Sequence, residues 1–292
     1  MDSSGAALTY HGVIDPVNRP DSADAALLDL SGRLSYGEYL QLDSLLASQQ
    51  PRTEAHDEML FIVQHQTTEL WFRLVLHELE AAMAGIDRDD LGPVFKNLAR
   101  VERIFRVLID AWEVLSTMTP ADYMEFRHAL DAASGFQSHQ YRLLEFALGN
   151  RDPVYLRPFA HRHELHAVLT AALESPSLYD RTIALLARRG LPIADTVLGR
   201  DVRLSHVPHP SVAAAWREVY RHTDTSWDLY ELAEELVDLE DTIRQWRFRH
   251  VTTVQRIIGH KPGTGGTSGV GYLKERLTIV LFPELWEVRT DL

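Results

Sequence analysis

Two histidines interrupt apolar helical stripes, and an imidazole in a dry seam can ligate a metal or exchange a proton with a ligand. Between Trp227 and Gly259, residues Leu232, Leu236, Leu239, Ile243, Trp246, His250, Val254 and Ile257 recur at steps of three and four, the repeat of one helix face. His250 therefore points inward. In the stretch opened by His56, residues Phe61, His65, Thr68 and Phe72 share a face and set a second inward histidine between aromatic rings. Taken alone, each is more commonly a core histidine hydrogen-bonded to its neighbours. On two helices, they begin to outline a site.

Other residues could hold a ligand. Tyr123 and Arg127 lie four apart on one helix face with Phe126 beside them, a suitable clamp for a carboxylate, though an ordinary surface arginine is the commoner role. The stretch Lys261-Pro262-Gly263-Thr264-Gly265-Gly266-Thr267-Ser268-Gly269 is neither a P-loop, lacking Gly-Lys-Ser/Thr, nor a dinucleotide fingerprint, lacking a βαβ unit. Its amides and hydroxyls could still wrap a ligand, although a flexible connection is the usual use of such composition. His56 and Glu58, two apart, do not share a helix face as ligands of non-haem iron would, and are read as capping a first turn. Glu125 and His128 form one Glu-x-x-His pair where a di-iron bundle needs two.

The elements that must position these groups are helices. The 227–259 segment is acidic in its first half and basic in its second, which complements the helix dipole, and Gly259 stops it. Helical periodicity also covers His56 to Ala84 and Asp89 to Thr117, the latter through Val94, Leu98, Val101, Ile104, Phe105, Leu108 and Trp112, with nothing chemical on it. Thr119-Pro120-Ala121-Asp122 opens another helix, Ser134 starts one running through Leu148, and shorter helices follow near 164–173, 177–188 and 193–197. A last helix runs from Tyr272 to Leu281. Tyr36 and Tyr39 share nearly one face of a short helix ending near Ala47, where they could pack an irregular arm, residues 1–30, onto the body. No stretch alternates as a strand would.

A chain of 292 residues with 45% hydrophobic residues can build a substantial core. Its net charge of −13 argues against a nucleic-acid surface, and its lack of cysteine excludes disulfides, thiolate zinc, iron–sulfur clusters and cysteine-ligated haem. With no apolar run of membrane-spanning length and no signal-like N-terminus, a cytoplasmic protein is expected.

Several stretches together resemble the haem-dependent tryptophan 2,3-dioxygenase family. They are Leu34-Ser35-Tyr36-Gly37-Glu38-Tyr39-Leu40, His56 through Leu70 with Trp71, Tyr123-Met124-Glu125-Phe126-Arg127, Ser134-Gly135-Phe136-Gln137-Ser138, Trp246-Arg247-Phe248-Arg249-His250 and Gly263 through Gly269. They occur in the family's order from residue 34 to the end. The resemblance implies an all-α helical bundle holding haem between long helices, with residues 31–292 as a single haem-binding catalytic domain. It implies a homotetramer with one haem b per subunit, acting on L-tryptophan and O₂. His250 would ligate iron, with Trp246 and Ser134 also at the cofactor. His65 would be the catalytic-site histidine hydrogen-bonding the indole N–H, Phe61 would pack the indole, and Phe126 would wall the pocket. Arg127, supported by Tyr123, would pair with the substrate carboxylate, and Thr264 would hold the ammonium and carboxylate. Tyr36, Tyr39 and Leu40 would reach a neighbouring subunit's pocket.

The implied activity is cleavage of the indole C2–C3 bond to give N-formyl-L-kynurenine, the first step of tryptophan catabolism by the kynurenine pathway. Ser35, Thr267 and His139 depart mildly from the family pattern. Two alternatives stay open: a same-fold haem monooxygenase acting on a substituted tryptophan in secondary metabolism, and a haem sensor or carrier without turnover, against which the polar clamp argues.

Overall fold

Why the longest helices form is visible in what they bury. The computed structural model describes residues 31–292, so the expected arm over residues 1–30 lies outside the described residues. Contacts divide the chain after Ser48. In the first unit, α1 (Tyr36–Leu40) opens with a reciprocal cap: Ser35 Oγ accepts from the Glu38 N–H, and Glu38 accepts from the Ser35 N–H at 2.8 Å. Gln41, at φ 53°, separates α1 from α2 (Leu42–Leu46), splitting what the sequence suggests as one helix. Tyr36 and Tyr39 are exposed, by 76% and 73%.

The second unit is built on α3 (His56–Asp87), α4 (Leu91–Leu115) and α11 (Trp227–Ile258). Helix α4 packs against both of the others. Its Val94, Leu98, Val101, Phe105 and Leu108 are buried, as are Val75, Leu79 and Ile86 of α3 and Leu232, Leu236, Leu239 and Ile243 of α11. Burial of each such side chain contributes about 1.5–3 kcal/mol. Gly85 permits the close approach of α3 and α4, since a Cβ there would lie 2.5 Å from Val94 Cγ2. Gly259, at φ 61°, terminates α11.

The remaining helices are α5 (Pro120–Phe126), α6 (His139–Leu148), α7 (His163–Glu174), α8 (Leu178–Arg188), α9 (Asp195–Leu198), α10 (Pro210–Arg221), α12 (Val270–Arg276) and α13 (Pro283–Val288). The helix anticipated from Ser134 is instead a 3₁₀ turn, Gly135–Gln137, followed by α6, whose start Ser138 caps by accepting from the Tyr141 N–H at 3.1 Å. Two helices go beyond the sequence reading. One is α10, which starts on Pro210, and the other is α13, tied to α11 by the fully buried Glu240, which accepts from the Phe282 N–H at 2.8 Å and Trp286 Nε1 at 2.9 Å. Helix α12 begins and ends earlier than anticipated. The described residues are all-α, with no strand, and no described helix is long and apolar enough to cross a membrane.

Candidate active site

Helix α11 carries His250 into an aromatic seam. The Trp112 ring of α4 lies parallel to the imidazole, 8° between planes and 4.5 Å between centroids, and Trp246, one turn back, sits at 5.6 Å. Trp246 is the hub, with Phe72, Phe105, Trp112 and Tyr141 all within 6 Å. Burial takes His250 down to about pH 4, and neighbouring His65 adds to the effect. The ring is therefore neutral at physiological pH, with a lone pair to offer. Among the described residues it has no hydrogen-bond partner.

His65 faces the same cavity from α3. Its Nδ1 lies 2.7 Å from the Phe61 carbonyl, which can only accept, so Nδ1 carries the proton and Nε2 is left as an acceptor. Burial lowers its pKa, opposed by the carbonyl bond and by Glu69. The two histidines line the same partly open cavity. Phe72, Trp112, Tyr141 and Trp246 contribute to its walls, together with the cationic Arg142, Arg247 and Arg276.

An aromatic cluster extends from His65 away from that cavity. The Phe61 ring lies 4.1 Å from that of His65, tilted by 37°, and reaches Phe126 at 5.5 Å and Tyr123 at 6.1 Å, both on α5. Burial pushes the Tyr123 hydroxyl up, with Arg127 opposing. His65 and Phe61 also border a second, more open recess, lined in part by Arg52, Glu58, Asp131 and Ala132. The Glu58 carboxylate holds the loop before α3, accepting from the backbone of Arg52 and Thr53 at 2.8 Å each and from the Thr53 hydroxyl at 2.6 Å. Burial would raise that carboxyl, but these bonds hold it below the ordinary value.

The glycine-rich loop lies on the segment after α5. Arg127 Nη2 donates to the Pro262 carbonyl at 2.7 Å, and Thr264 Oγ1 donates to the Ala133 carbonyl at 2.5 Å. Gly265 passes so close to Ser134 that a Cβ would lie 2.6 Å from Ser134 Cβ. Ser134 Oγ in turn accepts from the Phe136 N–H at 3.4 Å, starting the 3₁₀ turn whose Gly135 and Phe136 border the cavity.

His65, His250 and Trp246 thus share one cavity, while Phe61, Tyr123 and Phe126 join it through the His65 ring. Arg127, Ser134 and Thr264 are gathered by the loop but do not line it. Tyr36, Tyr39 and Leu40 belong to the first unit and are exposed. Sequence reasoning missed Trp112, because a ring facing a cavity and a ring facing a core repeat with the same period. It also missed the three arginines, since charge on a helix reads as surface.

The family model described as Tryptophan 2,3-dioxygenase matches residues 21–218 and 196–292. Among curated relatives, a tryptophan 2,3-dioxygenase of Burkholderia pseudomallei is 59% identical over 267 residues, covering 91% of this chain and 87% of the relative. Enzymes of the same name from a Polaromonas species and a Bradyrhizobium species are 56% identical over 282 residues and 58% identical over 271, covering 97% and 93% of this chain and 96% and 97% of those relatives.

Proposed function

The chain belongs to the tryptophan 2,3-dioxygenase family, and from that membership we propose that it binds one haem b per subunit and cleaves the indole C2–C3 bond of L-tryptophan with O₂, releasing N-formyl-L-kynurenine. The observation that carries this reading is a pair of neutral imidazoles, His65 and His250, facing one aromatic-walled cavity from two helices. The donor set fits a porphyrin: flat rings for walls, an unprotonated imidazole able to ligate iron, and buried guanidinium nitrogens without partners. Bound haem would supply the activation of dioxygen. The relatives' shared name favours cleavage over insertion of one oxygen atom.

The chain's own residues bind, orient and exclude water. His250 would hold the iron from a seam where the stacked Trp112 fixes its ring, with Trp246 beside it. His65 Nε2, bare because Nδ1 donates to Phe61, accepts the indole N–H and so positions the substrate. Phe61 packs the indole face, and Phe126 closes the wall behind it. Arg127 exchanges its Pro262 carbonyl for the substrate carboxylate, a stronger charge-assisted partner, with Tyr123 adjacent. Thr264 contacts the amino-acid end of the substrate from the glycine loop, and Ser134, next to the cavity-lining Gly135, would stand near the haem.

Residues 31–292 act as one catalytic domain. The exposure of Tyr36, Tyr39 and Leu40 leaves them available for insertion into the pocket of a neighbouring copy; the homotetramer and its place in the cytoplasm rest on family membership alone. Haem-loaded, reduced protein given L-tryptophan under heavy-oxygen gas tests the reading: N-formylkynurenine absorbance with both labelled atoms in the product is expected. A product carrying one atom, or no turnover, refutes it. His65→Ala should weaken tryptophan affinity or turnover; if both are untouched, the positioning role falls.

A further inference from the structure

We infer that Arg142, Arg247 and Arg276 form a cationic pole of the main cavity that takes the two propionate carboxylates of its porphyrin; this rests on the haem reading above. The three guanidiniums come from α6, α11 and α12, and Arg142 and Arg247 are only 3% and 4% exposed. One carboxylate answers them: Glu145, itself 1% exposed and paired with Arg142. Among the described residues, neither Arg247 nor Arg276 has an ion pair, so two positive charges stand uncompensated on the wall of a cavity. Glu69, the one acidic residue among those lining the cavity, lies on the His65 side, where its carboxylate accepts from Gln140 at 2.9 Å.

Uncompensated buried charge is costly, and a chain with a net charge of −13 has no shortage of carboxylates that could have been placed there. Two of the guanidiniums, those of Arg142 and Arg276, are instead packed against aromatic faces. Arg142 lies 4.8 Å from the centroid of the Tyr155 ring and 5.0 Å from that of Tyr141, and Arg276 lies 4.6 Å from that of Tyr272. This packing holds cations without neutralising them. Part of their donor capacity is also unspent: Arg247 Nη1 donates to the Ile279 carbonyl and Arg276 Nη1 to the Tyr155 hydroxyl, but Nε of Arg142, Arg247 and Arg276 and the Tyr272 hydroxyl are buried without a hydrogen-bond partner. A ligand with two carboxylates satisfies both the charge and the donors. The single carboxylate of an amino-acid substrate would leave one charge over, and Arg127 already provides for it.

The test uses the full chain stripped of cofactor and titrated with haemin or with haemin dimethyl ester, which lacks both carboxylates, following the Soret band. Haemin should bind wild type roughly 10–100-fold more tightly than the ester, as expected for charge-assisted hydrogen bonds. Arg276→Gln, at a half-buried site, should weaken haemin binding by about tenfold and leave the ester unchanged. Equal affinity of wild type for the two porphyrins overturns the pole whatever the variant does, as does an equal loss for both in Arg276→Gln. Failure of the haem reading looks different: the protein shifts the Soret band of neither porphyrin, or haemin binding is unchanged in His250→Ala.

Discussion

Replacing Gly265 by alanine would put a methyl carbon 2.6 Å from Ser134 Cβ and 2.9 Å from its Oγ. Carbon pairs settle at about 3.5–4.0 Å, so the loop and Ser134 must separate by roughly 1 Å. An overpacked contact of this kind costs about 1–3 kcal/mol of stability. Its larger effect is on function. Thr264 precedes Gly265 and donates to Ala133, the residue before Ser134, while Pro262 receives Arg127. A displacement of about 1 Å at substrate-positioning groups can lower a rate on the order of 100-fold. We expect Gly265→Ala to lose between about tenfold and 100-fold in kcat/KM for tryptophan while keeping a cooperative thermal melt. Ser134→Gly in the same chain removes both offending atoms, leaving the Ala132 carbonyl at 4.0 Å as the next neighbour, and should recover most of the loss relative to Ser134→Gly alone. If Gly265→Ala keeps kcat/KM within about twofold of wild type, the loop does not position the substrate through this contact.

Trp112→Ala should cost about 3–5 kcal/mol in denaturant unfolding and weaken haemin binding, whereas Trp112→Phe, which keeps a ring against His250, should retain most of both. Glu240→Ala leaves Arg244, the Phe282 N–H and Trp286 Nε1 without their acceptor, and should destabilise the protein by about 3–5 kcal/mol in the same assay. The Glu58 carboxyl sits below its ordinary value, so the stability it contributes is complete above its unfolded pKa of about 4.3 and is lost as pH falls through the folded value. Glu58→Gln should therefore melt below wild type at neutral pH, with the two curves converging in acid; a constant gap would refute the linkage.

The long helices were legible because their apolar residues repeat with the helical period, and His65 and His250 were legible because each breaks such a run. Contacts between residues remote in sequence were not. Arg127 donates to Pro262, 135 residues away, and Arg142 and Arg247 are buried only because aromatic rings and a cavity surround them. Helix α10 was obscured by Pro208 and Pro210, which read as breakers, although Pro210 occupies a first-turn position where its fixed φ suits a helix. The break at Gln41 has no glycine, proline or asparagine to announce it.

The helix with no ligating side chain has the widest influence on the chemistry. Helices α3 and α11 each rest on α4, so the gap between their two imidazoles is inherited from the girth of a third party. A bulkier or slimmer residue at Phe105 or Leu108 would move the walls of the reaction chamber apart or together without touching anything that reacts. Reactivity in this scaffold can therefore be retuned from behind, by selection acting on side chains that no ligand ever meets.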